Sequence, residues 1–527
     1  MQYTALASNG IEDGAEQVGV GELAGSKRRG VEGFRTDSQP ARWKPTRVVL
    51  GSVCLSVLAL TLLLSRSAAE TPAHWRSIRF DEASVEGAEP FDRALVLNHP
   101  DTPQDSLMAQ LKPQVRYITS MSYGGHANQF IGIQNLLYLG KLLNRVVIVP
   151  TLTPLHFKGI PHDVSKFYDL EYFYRKTSIP AVEQSALKWW NFTTPPPVEP
   201  LTCWSVLEAV AGGRNINDGS MAVHNIDIKY YPLPSLYRAS EESKLWFEAI
   251  HEFDSNPWSK QQWITQVRED LLPHAHADTE DDKTDDKPPA LKPGFDPRNN
   301  EPPSDQLFCL DTTFFLGSRM FPPAYPTLPP METLRSYEGH GWIEAGQYLR
   351  FSSHLESIAD EYLKKLFGVS KVERIPPFIT CHIRRGDFAE ARGLTSLDKY
   401  TDAVQRVRDK LDWRMDNRDG WNGPGKGNER FVKGMRARDY QVVVATDEAP
   451  TSEFVRTLKD ELGWKVIDHD LMETEKRLGS WYTLLIDSVI LSRGSSFVGT
   501  EWSTFSYLAG LRVKYWNGGV EEWTPSL

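Results

Sequence analysis

Two adjacent guanidinium groups are the most chemically pointed feature of this chain. They sit in Cys381-His382-Ile383-Arg384-Arg385-Gly386-Asp387-Phe388, directly after the apolar, strand-like lead Pro377-Phe378-Ile379-Thr380. Arginine presents a planar fork of donors that fits a phosphate bidentately. Ligands of α/β proteins bind beyond the C-terminal ends of strands. Two arginines at such an end suggest a diphosphate cradle, although a surface salt-bridge cluster would use the same residues.

Three further polar segments fall at matching places: Gly124 to Asn128, Thr446-Asp447-Glu448, and Thr500 to Ser506. The pair Gly124-Gly125 lets backbone approach a ligand closely and tolerates positive φ; an ordinary tight turn is its plainer use. It is not a GxGxxG fingerprint, so a nicotinamide dinucleotide is not expected. The stretch Thr500-Glu501-Trp502-Ser503-Thr504-Phe505-Ser506 puts hydroxyls and amides at a helix start. Such a start binds phosphate through free N–H groups, and Ser503 or Thr504 would equally serve as a plain N-cap. Asp487 lies on the helix before the last of these strands, where a solvated carboxylate is the plainer reading.

These loops need a scaffold of alternating strands and helices. Val115 to Thr119 alternates as a strand, and the apolar run from Phe130 to Leu143 reads as an amphipathic helix. Arg145 to Val149 is a buried strand closed by Pro150, which completes a βαβ unit. The second half repeats the pattern: strand 376–382, helix 397–411, strand Gln441–Ala445, helix 452–462 capped by Thr451, strand Trp464–Ile467, helix Trp481–Leu491, strand Ser496–Gly499, and a helix from near Ser503. This alternation predicts doubly wound parallel sheets in two facing halves. Two interruptions stand out. The acidic, proline-rich 274–305 reads as a solvated insertion, and Asp416 to Arg438 is rich in Gly, Arg and Lys.

The chain has 527 residues, room for two core-forming domains plus appendages. Its net charge of −10 argues against a nucleic-acid partner. Val48 to Ser65 carries no charge and approaches the length that spans a bilayer. It begins too far from the N-terminus for an ordinary signal peptide. Seven Lys or Arg lie between Lys27 and Arg47, against three between Arg66 and Arg79. The positive-inside rule then sends residues 66–527 across the membrane, as a single-pass type II protein of the ER or Golgi. Cys203, Cys309 and Cys381 would be lumenal, able to form one internal bridge of unspecified pairing. Asn191-Phe192-Thr193 is a glycosylation sequon. The expected organisation is a cytosolic tail (1–46), an anchor (47–65), a stem (66–112), an N-terminal domain (113–340) and a C-terminal domain (341–527).

Taken in order, the four loops resemble the GDP-fucose protein O-fucosyltransferase family. Gly124-Gly125-His126-Ala127-Asn128-Gln129 is similar to its N-terminal signature, and His382-Ile383-Arg384-Arg385-Gly386-Asp387 to its His-x-Arg peptide. Val443 to Glu448 and Phe497 to Ser506 resemble its remaining blocks. The resemblance implies a GT-B-like α/β architecture, with two Rossmann-like domains facing a cleft, and GDP-fucose as donor without cofactor or metal. It implies that Arg384 binds the β-phosphate and steadies the leaving GDP. His382 and Asp487 would reach the guanine. Ser503, Thr504 and Phe505 would line the nucleotide, with Asp447 beside it, and Gly124, Gly125 and Asn128 would approach from the other half. Asp387 would orient the arginines. Glu390 is the candidate base for an inverting attack by an acceptor hydroxyl. The acceptor is expected to be a protein Ser or Thr. The Arg-Arg-Gly-Asp version also resembles α1,2- and α1,6-fucosyltransferases, which act on glycans. Two other classes stay open: a metal-dependent GT-A enzyme using Asp468-His469-Asp470, and a lumenal binding protein without catalysis.

Overall fold

A computed structural model describes residues 90–155, 157–205, 219–232, 264–265, 267, 304–314, 338–370, 372–386, 388, 393–418, 421–432 and 434–525. The expected tail, the apolar run Val48–Ser65, most of the stem and of the 274–305 insertion, Asp387 and Glu390 lie outside the described residues. Among those described, no helix is long and apolar enough to cross a membrane.

The first lobe is built on β1 (Tyr117–Ser120), α1 (His126–Leu143), β2 (Val146–Val149), α2 (Leu170–Thr177), β3 (Ala181–Glu183), β4 (Glu199–Ser205), β5 (Ile226–Pro232) and β6 (Leu307–Leu310). Its strands form one sheet in the order β3-β2-β1-β6-β4-β5, every pair parallel. The second lobe comprises α3 (Ser353–Phe367), β7 (Phe378–Ile383), α4 (Leu397–Asp416), β8 (Gln441–Thr446), β9 (Lys465–Val466), α5 (Trp481–Ser492), β10 (Ser496–Thr500), α6 (Thr504–Asn517) and β11 (Val520–Thr524). Its sheet runs β11-β10-β7-β8-β9, again wholly parallel. Parallel strands buried on both faces need continuous apolar runs. Val442-Val443-Val444-Ala445 and Phe378 to Ile383 supply them, with every side chain buried.

Two local expectations change. The helix after β8 is capped by Ser452, whose Oγ accepts from Val455 N at 3.2 Å, not by Thr451. It is α-helical only from Glu453 to Arg456 and then widens to a π-helical turn through Glu461. The helix α1 is not half-exposed as an amphipathic pattern implies. Nearly every residue is buried, including Gln129, Gln134 and Asn135. The cause is packing on several sides: α1 rests on β1 and β2, against His340–Glu344, and against α6 of the second lobe.

The lobes therefore share one core. Phe130 and Leu137 of α1 belong to the same apolar cluster as Leu485 and Val489 of α5 and Leu511 of α6. Arg512 sits inside this shared core at 1% exposure. Its guanidinium carbon lies 4.7 Å from the Phe130 ring, 4.6 Å from Phe351 and 5.5 Å from Trp516. Its Nη1 donates to Ser488 Oγ at 2.6 Å, and no carboxylate among the described residues pairs with it. Aromatic faces, negative by quadrupole, take the place of a counter-ion.

A disulfide joins Cys203 on β4 to Cys309 on β6, and Cys381 is buried and free. The bridge spans 106 residues of sequence. In the chain-entropy picture, closing a loop of that order contributes roughly 4–5 kcal/mol.

Candidate active site

All four predicted loops lie at C-terminal strand ends. After β1 the chain turns at Gly124, whose φ of +65° is the left-handed region that glycine occupies without strain. A Cβ there would stand 2.5 Å from Asn128 Nδ2. Gly125 is the N-cap of α1 and offers no side-chain cap, so the first-turn amides of His126 to Asn128 keep their donors. Gln129 fixes the turn from beneath. Its Nε2 donates to Gly124 O at 2.8 Å and to Thr153 O at 2.7 Å, and its Oε1 accepts from Thr153 N at 3.0 Å.

In the second lobe the β10–α6 turn runs through Trp502, a non-glycine residue at φ +65°. Holding it there costs on the order of 1 kcal/mol or more, which the surrounding bonds must offset. Ser503 caps α6, its Oγ accepting from Ser506 N at 3.3 Å. Ser506 Oγ accepts from Thr500 N at 3.2 Å and lies 2.5 Å from His382 Nδ1. Thr500 Oγ1 in turn accepts from Arg384 N at 3.0 Å and donates to His382 O at 3.1 Å. One network of short polar side chains thus hangs the arginine loop on the start of α6.

The decisive contact crosses between lobes. Thr504 Oγ1 donates to Asn128 Oδ1 at 2.7 Å. The diglycine turn and the Ser-Thr-Phe cap, 376 residues apart in sequence, therefore abut through the first turns of α1 and α6. Two helix N-termini that meet this way form one electropositive seat for an anion.

The arginines divide. Arg385 is committed to structure: its Nε bonds Glu448 Oε1 at 2.5 Å and its guanidinium lies 4.1 Å from the Phe454 ring. Arg384 is one-third exposed, and its Nη1 meets Asp447 Oδ2 at 2.9 Å. Asp447 also accepts from Arg385 N at 2.8 Å and so orients the arginine loop. Gly386 makes room for it, since a Cβ there would stand 2.6 Å from Asp447 Oδ2.

His382 is buried, with the Phe505 ring centroid 5.0 Å away. Burial, helped by Arg384, pushes its pKa down to about 3, so the ring is neutral at physiological pH. Asp487 does not point into solvent. Its Oδ1 meets His469 Nε2 at 2.9 Å, and His469 Nδ1 lies 3.0 Å from Thr474 Oγ1. Burial opposes charge on His469, but Asp487, Asp468 and Asp470 together raise its pKa. Asp468 faces Lys459 and the Leu471 amide. No group of three acidic, His or Cys ligands able to hold a metal occurs among the described residues.

The chain matches the model of the GDP-fucose protein O-fucosyltransferase family over residues 117–515, three quarters of its length. It belongs to that family. Membership makes it a GDP-fucose-dependent fucosyltransferase. The match opens at β1 and closes within α6, so it takes in both lobes and all four loops. A search of the curated proteins finds no match. Among solved structures, POFUT1 in complex with GDP-fucose aligns at 13% identity and a TM-score of 0.42, over 78% of this chain and 98% of that one. NodZ alpha-1,6-fucosyltransferase co-crystallized with GDP aligns at 12% identity and a TM-score of 0.31, over 76% and 93%. Selenomethionine NodZ from Bradyrhizobium gives 11%, 0.34, 76% and 92%.

Within this fucosyltransferase site, Glu501 is a residue that sequence pattern did not single out. It follows Thr500 directly, is partly buried, and its carboxyl is raised above the usual range by desolvation. Its place inside a strand-to-helix turn was the available signal. A cavity of about 380 Å³ opens elsewhere, at the N-terminal edge of the second sheet beside Pro376, Phe378 and Arg430. It lies across the sheet from Arg384 and plays no part in this site.

Proposed function

We propose that the protein transfers fucose from GDP-fucose to a serine or threonine hydroxyl of a lumenal protein, by an inverting displacement that needs no metal. The contact of Thr504 with Asn128 carries this reading, because it joins the first turns of α1 and α6 beside the loop that presents Arg384. The donor's diphosphate would lie against those turns, in a GT-B-like cleft. Arg384 would exchange Asp447 for the β-phosphate and neutralise charge that grows on departing GDP. Electrostatic stabilisation of that kind often contributes more to catalysis than any other effect. Neutral His382 and the oxygen of Asp487 not held by His469 would face the guanine, whose N1–H and N2–H groups need an acceptor. The acceptor hydroxyl would attack the anomeric carbon from the opposite side, its proton passing to a carboxylate. Glu390 and Glu501 are the two to test. A raised pKa, as at Glu501, suits a general base.

Residues 66–527 would face the secretory lumen behind the apolar run Val48–Ser65. The Cys203–Cys309 bridge supports this, since disulfides persist in oxidising compartments. The test is transfer of labelled fucose by the full-length, detergent-solubilised chain, with folded protein domains and free glycans as competing acceptors and EDTA present. Label on Ser or Thr, released by alkaline β-elimination, is expected. Label on glycans alone would assign the glycan-modifying class, and transfer abolished by EDTA would overturn the metal-free displacement.

A further inference from the structure

We propose that Asn191 carries an N-linked oligosaccharide, on the side of the first lobe remote from the donor site. Asn191-Phe192-Thr193 lies in the loop between Gln184–Leu187 and β4. Both ends of that loop are pinned. Buried Lys188 donates through Nζ to Pro197 O at 2.8 Å and to Glu199 Oε2 at 3.2 Å. Trp189 Nε1 donates to Asp105 Oδ1 at 2.6 Å, and Asn225 Nδ2 donates to Pro196 O at 2.7 Å. Between these anchors residues 191–195 are all exposed.

The asparagine is presented for reaction. Its Oδ1 is turned back onto the chain and accepts from Thr193 N at 2.8 Å and Thr194 N at 3.4 Å. Among the described residues nothing accepts from its Nδ2. In the transfer, Nδ2 bonds to C1 of an oligosaccharide carried on a polyprenyl diphosphate. One amide proton is lost, the C1–O bond breaks, and polyprenyl diphosphate departs with the electron pair.

The surroundings suit a sugar. Phe192 is 51% exposed and rests edge-on against Trp190, with centroids 5.1 Å apart; Val198 is 66% exposed. This apolar surface would be shielded by the first saccharides. Position also fits. All strand pairs are parallel, so a loop entering β4 at Glu199 lies at the N-terminal edge of the sheet. The diglycine turn leaves β1 at the opposite edge. A strand of β4's seven residues separates those edges by roughly 20 Å at ~3.3 Å per residue. A bulky glycan there leaves the donor site open.

The proposal rests on the lumenal placement argued above, and one experiment separates the two. The full chain is expressed in eukaryotic cells, and microsomes are assayed for protease protection and for a mobility shift on peptide-N-glycosidase treatment. A protected chain with a single shift is expected. That shift should vanish in Asn191→Gln and Thr193→Ala, persist in Thr193→Ser, and leave fucosyl transfer unchanged. A protected chain without a shift, or a shift that survives Asn191→Gln, overturns the glycan and leaves the lumenal placement standing. An unprotected chain overturns both.

Discussion

Arg384 and Arg512 have the same side chain in opposite circumstances. Arg384 stands one-third exposed at a strand end, joined to Asp447, a carboxylate that is itself shared with a backbone amide. Arg512 is sealed between the lobes among three rings, and no carboxylate of the described residues forms an ion pair with it. The first ion pair is half-solvated and inexpensive to exchange, because a partly exposed pair gains about 0–1 kcal/mol. The second cannot exchange its surroundings without parting the lobes. A cation meant for a ligand is thus kept next to water and a replaceable partner, and one meant for architecture is kept dry.

Breaking the first side should give the largest effect. Arg384→Ala is expected to lower kcat by about 10²–10³-fold, the size typical of losing one preorganised donor. Its melting temperature should stay that of the parent; kinetics and calorimetry on one preparation check both. Breaking the second side should invert the pattern. Arg512→Ala is expected to cost about 3 kcal/mol of stability by denaturant titration, chiefly from the void left among the rings. Arg512→Met, which restores volume without charge, should recover most of it, since replacing a buried charge by an apolar group is often neutral. Equal loss in both variants would mean that the charge itself holds the lobes together.

Acid sharpens the comparison at the histidines attached to each arginine. His382 precedes Arg384, and His126 reaches Tyr168 beside Arg512 through Nε2 at 2.9 Å. Burial holds both near a pKa of about 3, against an ordinary 6.5. The unfolded chain binds protons that the folded one refuses. Stability is therefore full above pH 6.5 and falls as pH drops toward 3, by up to about 1.4 kcal/mol per pH unit for each histidine. His469 runs the other way: its raised pKa contributes stability at low pH that is lost as pH rises. Denaturant titrations at pH 7, 6 and 5 should show the decline, and a flat profile would contradict the burial argument. The smallest effect is expected at the bridge between lobes. Thr504→Val removes one hydrogen bond and should cost about 1 kcal/mol, read mainly as a higher KM for the donor.

The second lobe was legible because its strands are continuous apolar runs such as Val442 to Ala445, with turn residues at both ends. The first lobe was half legible. Its β1, α1 and β2 followed from local pattern, but β3 has three residues, β4 carries Pro200, and β5 interleaves Asp227 and Lys229. Their places are set by pairings across long separations, such as β1 with β6, which no window of sequence reports. The same limit governs the site. Glycine turns, the arginine loop and the helix cap announce themselves locally. The commitment of Arg385 to Glu448, of Asp487 to His469, and of Thr504 to Asn128 depends on which loops the fold brings together.

The central claim is that Arg384 trades Asp447 for the diphosphate of a guanine nucleotide. Thermal shift of the full chain with GDP, UDP and CMP, beside Arg384→Ala, tests it most directly. GDP at about 100 times its Kd should stabilise the parent by roughly 2.7 kcal/mol, while UDP and CMP should do little and the variant should lose the GDP response. Equal stabilisation by UDP, or a GDP response that survives Arg384→Ala, would contradict it.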